Sequence, residues 1–373
     1  MRMKLSCFFT GIVFVLSGIC AQAQQYTIPE GVMTYTFPHG VTTYASFPLT
    51  ADPVYGDAVL TVTPNSISVM NSSAFTGTLA TLNAPGAPYF VIFTSGAQVG
   101  RVLMVTGNTV NSLTLDTTGD GTGAAEALTG NTDSIGSPQG SPPTTPLFNV
   151  AAGDTFEVYS GDTLLTVFGS SSPGGILTGN TIFRTADNVI FPKTTTSPSD
   201  IYYFNTTYNY WVRDGDNESP PANANNTVIP PFSSLAVLVR SANPDASLIL
   251  QGRVADTPLL TRSIAKSTSY NSTAYASDMT LGQISFGPNF AANNTFRFAD
   301  NIGVYNDQET PPRFDVYYED ASLTWRQYPD ATTSYNTVTI HAGSVITILQ
   351  RASVGGATSF LQSSLPYVLQ PGN

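Results

Sequence analysis

Phe183-Arg184-Thr185-Ala186-Asp187-Asn188-Val189 returns later in the chain as Phe296-Arg297-Phe298-Ala299-Asp300-Asn301-Ile302. Further along, Asp200-Ile201-Tyr202-Tyr203 returns as Asp315-Val316-Tyr317-Tyr318. Trp211 with Arg213 returns as Trp325 with Arg326, and Val237-Leu238-Val239-Arg240 as Ile348-Leu349-Gln350-Arg351. Phe to Trp spans 28 residues and then 29, and Trp to the closing Arg 29 and then 26, so order and spacing are both kept. The only two tryptophans of the chain stand at matching places. Two copies at such a period indicate a duplication rather than a solenoid.

Each copy reads as strands. Val189, Phe191, Ile201, Tyr203, Trp211, Leu235, Val237 and Val239 are β-branched, aromatic or aliphatic and fall between Gly, Pro, Asn and Asp turns, which is the pattern of short sheet-forming runs. No window carries a long helical period. Within each copy Arg184 with Asp187, and Arg297 with Asp300, are expected to pair across a strand-to-turn junction, with Asn188 and Asn301 bonding backbone in the turn.

Upstream of the copies the pattern stays β. The runs 41–47 and 58–63 are short strands. Tyr89-Phe90-Val91-Ile92-Phe93, Arg101-Val102-Leu103-Met104-Val105 and Ser112-Leu113-Thr114-Leu115-Asp116 predict a three-stranded meander, with Gly and Asn in the gaps where turns ask for positive φ. Residues 117–146 are rich in Gly, Thr, Ser and Pro and read as a loop. In Thr155-Phe156-Glu157-Val158 the alternation predicts one dry and one wet face. The fold class is therefore all-β: an N-terminal barrel- or sandwich-like domain over 24–172, then two related sandwich-like units over 173–260 and 261–373. The strands of 261–287 echo those near Tyr44.

The first 23 residues carry a basic start (Arg2, Lys4), a short apolar middle and Ala21-Gln22-Ala23, the plan of a secretory signal peptide. Cleavage after Ala23 removes Cys7 and Cys20, the only cysteines. Ile19 before Cys20 departs from the small residue that a lipoprotein signal asks for. A chain without disulfides or thiols must rest on its core, for which its length suffices.

Charge is sparse and negative. There are 14 Lys and Arg against 25 Asp and Glu, and charged residues make up 10%, well under the usual quarter. Nucleic acid and anionic membrane surfaces both demand clustered cations, so neither is expected as a partner, and no membrane span is expected after signal cleavage. The remaining localisations are the periplasm, the cell surface and the extracellular space.

The run 89–96 with Gly100 and Thr106-Gly107-Asn108-Thr109-Val110-Asn111, the Ala186-Asp187-Asn188 strand start, the Tyr and Trp strands and the Gly153-Asp154-Thr155-Phe156 turn resemble those of a family of uncharacterised secreted proteins of verrucomicrobial bacteria. The resemblance covers most of the mature chain. It implies a bacterial, exported, β-rich protein and carries over no established activity.

Catalytic signatures are missing from the sequence. His39 and His341 both stand beside turn residues, and His341 takes the place that Pro230 holds in the other copy. There is no nucleophile elbow and no phosphate loop. Glu157, Glu218, Glu309, Asp315, Glu319 and Asp320 qualify by type as a glycosidase acid and base, but spacing places no two of them together. Asp116, Thr118 and Asp120 put oxygens on alternate positions of a glycine-rich turn, a pattern that suits calcium, but an ordinary solvated turn is the preferred reading; the acidic turn 214–218 reads the same way. For ligand binding the aromatic residues stand out: Tyr208, Tyr210 and Trp211 in the first copy, Trp325 and Tyr328 in the second. Alternation along a strand exposes at most half of such a set. These features point to an exported, non-catalytic structural or binding protein, with a polysaccharide or another envelope protein as partner. The alternative is a carbohydrate-active enzyme, or its accessory module, that uses a carboxylate pair.

Overall fold

The computed structural model describes residues 30–351 other than 85, 118–126, 131–148, 171–174, 194–197, 264–266, 274, 287–289, 307–308 and 310–311, together with the strand Ser359–Ser363. Strand accounts for 42% and helix for 4%, so the all-β class holds. Among the described residues no helix is long and apolar enough to cross a membrane.

Two five-stranded antiparallel sheets have the same plan. In the first, Tyr210–Arg213, Asp200–Asn205, Asn188–Phe191, Ser234–Leu238 and Thr42–Ser46 lie side by side. In the second, the order is Trp325–Gln327, Arg313–Glu319, Asn301–Asn306, Val345–Gln350 and Ser267–Ser272. The registers agree: Val189 opposes Val237 as Ile302 opposes Ile348, and one residue further back Ala236 opposes Tyr44 as Thr347 opposes Tyr270. Tyr44 and Tyr270 are therefore equivalent, and the echo near Tyr44 belongs to the duplication.

Further elements repeat as well. Glu30–Phe37 pairs with Ala246–Val254, and Leu259–Ser263 with Ser359–Ser363. The short ladder of Asp162–Thr163 with Val228–Ile229 matches that of Met279–Thr280 with Thr339–Ile340. Each ladder leads into a helical turn, Leu164–Phe168 and Leu281–Gln283. At each entry the side chain three residues on accepts the threonine amide, Thr166 for Thr163 (2.8 Å) and Gln283 for Thr280 (2.7 Å), which satisfies a helix-terminal donor.

The first repeat thus consists of 30–50 and 162–254, and the second of 259–363. In the second, Ser272 leads almost directly to Met279. In the first, a complete module intervenes between Ser46 and Asp162. Its seven strands run Pro53–Ala58, Thr155–Ser160, Tyr89–Phe93, Val102–Asn108, Ser112–Leu115, Ser66–Ser68, Thr61–Val62. The predicted meander forms its centre, and Phe156 and Val158 face its core as the alternation required. The two edge strands are consecutive in the chain, joined through Val59 and Leu60, so the sheet curls round its own core. No described sheet closes into a barrel. Sheet membership crosses the boundaries drawn from sequence: residues 30–50, inside the 24–172 span, complete sheets of the first repeat.

Each of the three bodies has its own apolar core. That of the first repeat includes Phe37, Val189, Trp211 and Leu235; that of the second, Leu281, Ile302, Trp325 and Ile346; that of the module, Ile67, Phe93, Leu113 and Phe156. Burial of such side chains is the main favourable term in each.

The junctions are specific. Arg253 of the first repeat is buried between Glu157 of the module (3.7 Å) and Asp256, and its guanidinium lies 5.9 Å from the centre of the Tyr159 ring. Tyr159 donates its hydroxyl to Glu157. The Leu260 amide donates to Gly100 O (3.1 Å), and Val102 packs on the core of the second repeat. The two repeats meet where Tyr44 stacks on Tyr270, with centroids 5.9 Å apart and planes 3° from parallel; Tyr305 and Phe314 each present to Tyr44 at 5.1 Å.

The structure corrects the expected Arg184–Asp187 and Arg297–Asp300 pairs. Arg184 and Arg297 are exposed, and the buried carboxylates take backbone amides instead. Asp187 accepts from Thr178 N (2.7 Å) and Arg240 N (2.8 Å), and Asp300 from Ala291 N (2.8 Å) and Arg351 N (2.7 Å). The arginine that closes each copy bonds the neighbouring asparagine, Arg240 to Asn188 (2.5 Å) and Arg351 to Asn301 (2.7 Å), and lies over Phe183 or Phe296. Carboxylates suit this task because one group can satisfy two orphan donors at once.

Candidate functional site

Where the repeats meet, strand Glu30–Phe37 and edge strand Thr42–Ser46 of the first face Tyr305 and the turn 341–344 of the second across a cavity of about 550 Å³. This lies within the range of small-ligand sites. Four consecutive residues, Met33 to Thr36, line it. Side chains of a strand alternate between faces, so a run of four means that the cavity lies along the strand's edge.

Local sequence explains the opposite wall. The Ser344 amide donates to His341 O (3.0 Å), making a tight turn. Gly343 has φ +74°, and a Cβ there would collide with Met33 and Tyr35, so only glycine fits. Asp278 fixes the turn from outside: Oδ1 accepts the Ala342 amide (2.9 Å) and Oδ2 lies 3.3 Å from His341 Nδ1.

The phenols are held in place. Tyr35 donates its hydroxyl to Ser46 O (2.6 Å) and Tyr305 to Thr42 O (3.3 Å). Burial pushes Tyr35 up to about 12. Burial, followed by the neighbouring phenols of Tyr270 and Tyr305, pushes Tyr44 up to about 12. Both stay neutral across the physiological range.

A second cavity of about 110 Å³ adjoins the first and shares Tyr305, His341 and Ser344 with it. It adds Asn306, Asp315 and Tyr317. Asn306 Nδ2 donates to Asp315 Oδ2 (2.8 Å), and Arg313 Nε lies 3.3 Å from Asp315 Oδ1. Among the described residues neither cavity is lined by Lys or Arg. Together they make an elongated site of aromatic rings, hydroxyls, one imidazole and one carboxylate. Such a set can stack on an apolar face and exchange hydrogen bonds with hydroxyls.

The aromatic residues singled out in the sequence lie elsewhere. Trp211 and Trp325 are core residues, each 1% exposed. Trp211 Nε1 donates to Gly169 O (2.9 Å) between Phe168 and Phe204, and Trp325 packs on Phe290. A ring so enclosed offers no face to a ligand, so the expectation that these two bind one is corrected. Tyr208 is exposed and stacks on Tyr210, whose hydroxyl donates to Pro221 O (2.7 Å). Tyr328 is exposed and stacks on Phe296 at 4.3 Å. Neither pair lines the cavities described.

The candidate carboxylates are dispersed. Glu157 belongs to the Arg253 cluster, Glu309 pairs with Arg313 (3.5 Å), and Glu218 is exposed. Asp320 caps a turn through the Ser322 and Thr324 amides and bonds Arg326. Its neighbour Glu319 is half-buried, and burial, with Asp320 adding to it, raises its carboxyl above the ordinary value. Asp315 lines the smaller cavity. Of the calcium candidates, Asp116 is described, whereas Thr118 and Asp120 lie outside the described residues. Among the described residues no group of three or more His, Cys, Asp or Glu side chains is gathered to hold a metal ion. In the other acidic turn Asp216 accepts the Glu218 and Ala222 amides (3.0 and 2.8 Å), which hold its carboxyl below the usual range.

Tyr35, Tyr44, Tyr305 and the cavity role of His341 were not legible as a site in the sequence. The available signal was the Tyr44 echo, together with the substitution of His341 for Pro230. Comparison of the chain with protein-family models, with curated proteins and with solved structures gave no match.

Proposed function

We propose that the chain is an exported, non-catalytic binding protein of the cell envelope or extracellular space, and that the groove between the two repeats holds a glycan. The observation that carries this reading is the groove itself, in which Tyr35, Tyr44 and Tyr305 stand with threonine hydroxyls, His341 and Asp315 over a volume suited to a small ligand. Sugars have apolar ring faces and hydroxyl rims, and the groove supplies a partner for each. The secretory pattern of residues 1–23 supports export.

The test is retention of the purified protein on a panel of insoluble and immobilised polysaccharides, with His341→Ala and Tyr328→Ala compared in parallel. Retention that His341→Ala weakens and Tyr328→Ala leaves alone supports the groove. Retention lost only with Tyr328→Ala moves the site to the Phe296 stack. Release of reducing ends from a retained polymer would replace this reading with an enzymatic one.

A further inference from the structure

The charge of the groove narrows its ligand, and this step rests on the glycan reading above. An acidic polysaccharide needs cations to replace the water around its carboxylates, because a buried unpaired charge is costly. Among the described residues no Lys or Arg lines either cavity. Arg313, beside Asp315, is already matched by Asp315 and by Glu309. Among the described residues the charged group that lines the site is the Asp315 carboxylate, beside which Arg313 lies outside the lining, and Asp278 stands behind His341. The chain as a whole carries a net charge of −11, so its long-range field also repels anions.

The two cavities divide the work. Tyr44 and Tyr305 wall the larger one, where a sugar ring finds apolar contact. Asp315 and Asn306 sit in the smaller one, where a carboxylate accepts from hydroxyls and an amide donates to them. The shared residues Tyr305, His341 and Ser344 make the cavities contiguous, so a ligand that uses both has at least two linked rings. We infer that the inter-repeat groove selects uncharged oligosaccharides of two or more units and rejects uronic-acid polymers, with Asp315 and His341 as the residues that set this choice.

Isothermal titration of the purified protein with cellotetraose, mannotetraose and tetragalacturonate tests the inference. At least one uncharged tetrasaccharide is expected to bind, with tetragalacturonate at least about tenfold weaker. Asp315→Asn and His341→Ala should each weaken the uncharged ligand about tenfold or more, the range set by one hydrogen bond to a charged group. Asp315→Asn keeps the shape of the side chain, and unchanged melting of each variant separates loss of binding from loss of fold. Tetragalacturonate binding as tightly as the uncharged ligands, or more tightly, overturns the inference and leaves the glycan reading standing. Uncharged binding that both variants leave intact overturns the assignment of Asp315 and His341. No heat with any of the three, together with no retention on the polysaccharide panel, overturns the glycan reading itself.

Discussion

Asp300 is the sharpest point at which to break the second repeat without touching its apolar core. Its carboxylate is 1% exposed and accepts two backbone amides, Ala291 N at 2.8 Å and Arg351 N at 2.7 Å. It therefore ties the start of the 291–300 loop to the residue that follows strand Val345–Gln350. Asp300→Ala leaves both amides without their acceptor. Each orphaned buried donor costs about 1–3 kcal/mol, so the variant should lose about 2–6 kcal/mol. Asp300→Asn keeps one acceptor and turns an NH2 group towards the other amide, so it should lose about half as much. Each repeat holds one tryptophan, and that supplies the assay. In a Trp211→Phe background, fluorescence reports the second repeat through Trp325; in a Trp325→Phe background it reports the first through Trp211. With a urea dependence of about 2 kcal/mol per M, Asp300→Ala should lower the Trp325 midpoint by about 1–3 M against the same background. Asp187→Ala should do the same to the Trp211 signal, because Asp187 holds Thr178 N and Arg240 N in the equivalent way. A Trp325 shift under about 0.3 M for Asp300→Ala would refute the account of the carboxylate as a double amide acceptor.

Glu319 opposes Trp325 as Phe204 opposes Trp211, so Glu319→Phe restores the core residue of the other copy and should raise the Trp325 midpoint; an unchanged or lower midpoint counts against the equivalence. Because burial raises the folded Glu319 value above the ordinary 4.5, the stability linked to this group is fully present below about 4.5 and is lost as pH rises through the folded value. Melting of wild type and Glu319→Gln between pH 4 and 7 should show that slope in the first and its removal in the second. Arg253→Ala strands Glu157 and Asp256 at the junction of module and repeat, and should cost about 3–5 kcal/mol by thermal or urea unfolding; an Arg253→Lys variant that melts like wild type would show that the fork geometry is dispensable. Gly100→Ala forces a Cβ at φ +82° into Pro258 O; it should cost at least about 2 kcal/mol and hasten proteolysis between module and second repeat, and unaltered cleavage would deny that contact a role in docking.

What the sequence made legible follows from what duplication preserves. Asp187 and Asp300, Asn188 and Asn301, Trp211 and Trp325, Arg240 and Arg351 do the same job in each copy, so their identities match and the repeat announces itself. Their partners were not legible, because Asp187 meets the amides of Thr178 and Arg240, and an amide leaves no mark on residue type. Asn225 and Asn336, which accept the Trp211 and Trp325 amides at 2.9 Å each, went unseen because the loops around them differ. The first repeat's opening strands were hidden by the module between Ser46 and Asp162, and Glu30 finds its partner only at Arg253. The groove was the least legible feature, since its walls come from different copies and periodicity within one copy says nothing about contacts between two.

The groove combines what the copies share with what they do not. Tyr44 and Tyr270 are equivalent and stack on each other, so the contact between repeats is close to symmetric at its centre. Around that centre the copies diverge: Tyr305 and Phe314 stand where the first copy has Pro192 and Ser199, and His341 where it has Pro230. Pro230 lines a cavity of about 50 Å³ together with Gly161 and Asp162, where the chain returns from the inserted module. The groove is therefore lined both by residues that the duplication shares, Tyr44 and Asp315, and by residues that it does not, Tyr305 and His341. A duplicated scaffold need not carry a duplicated site: Asp315 has its counterpart in Asp200, but only in the second copy does this aspartate stand beside Tyr305 and His341.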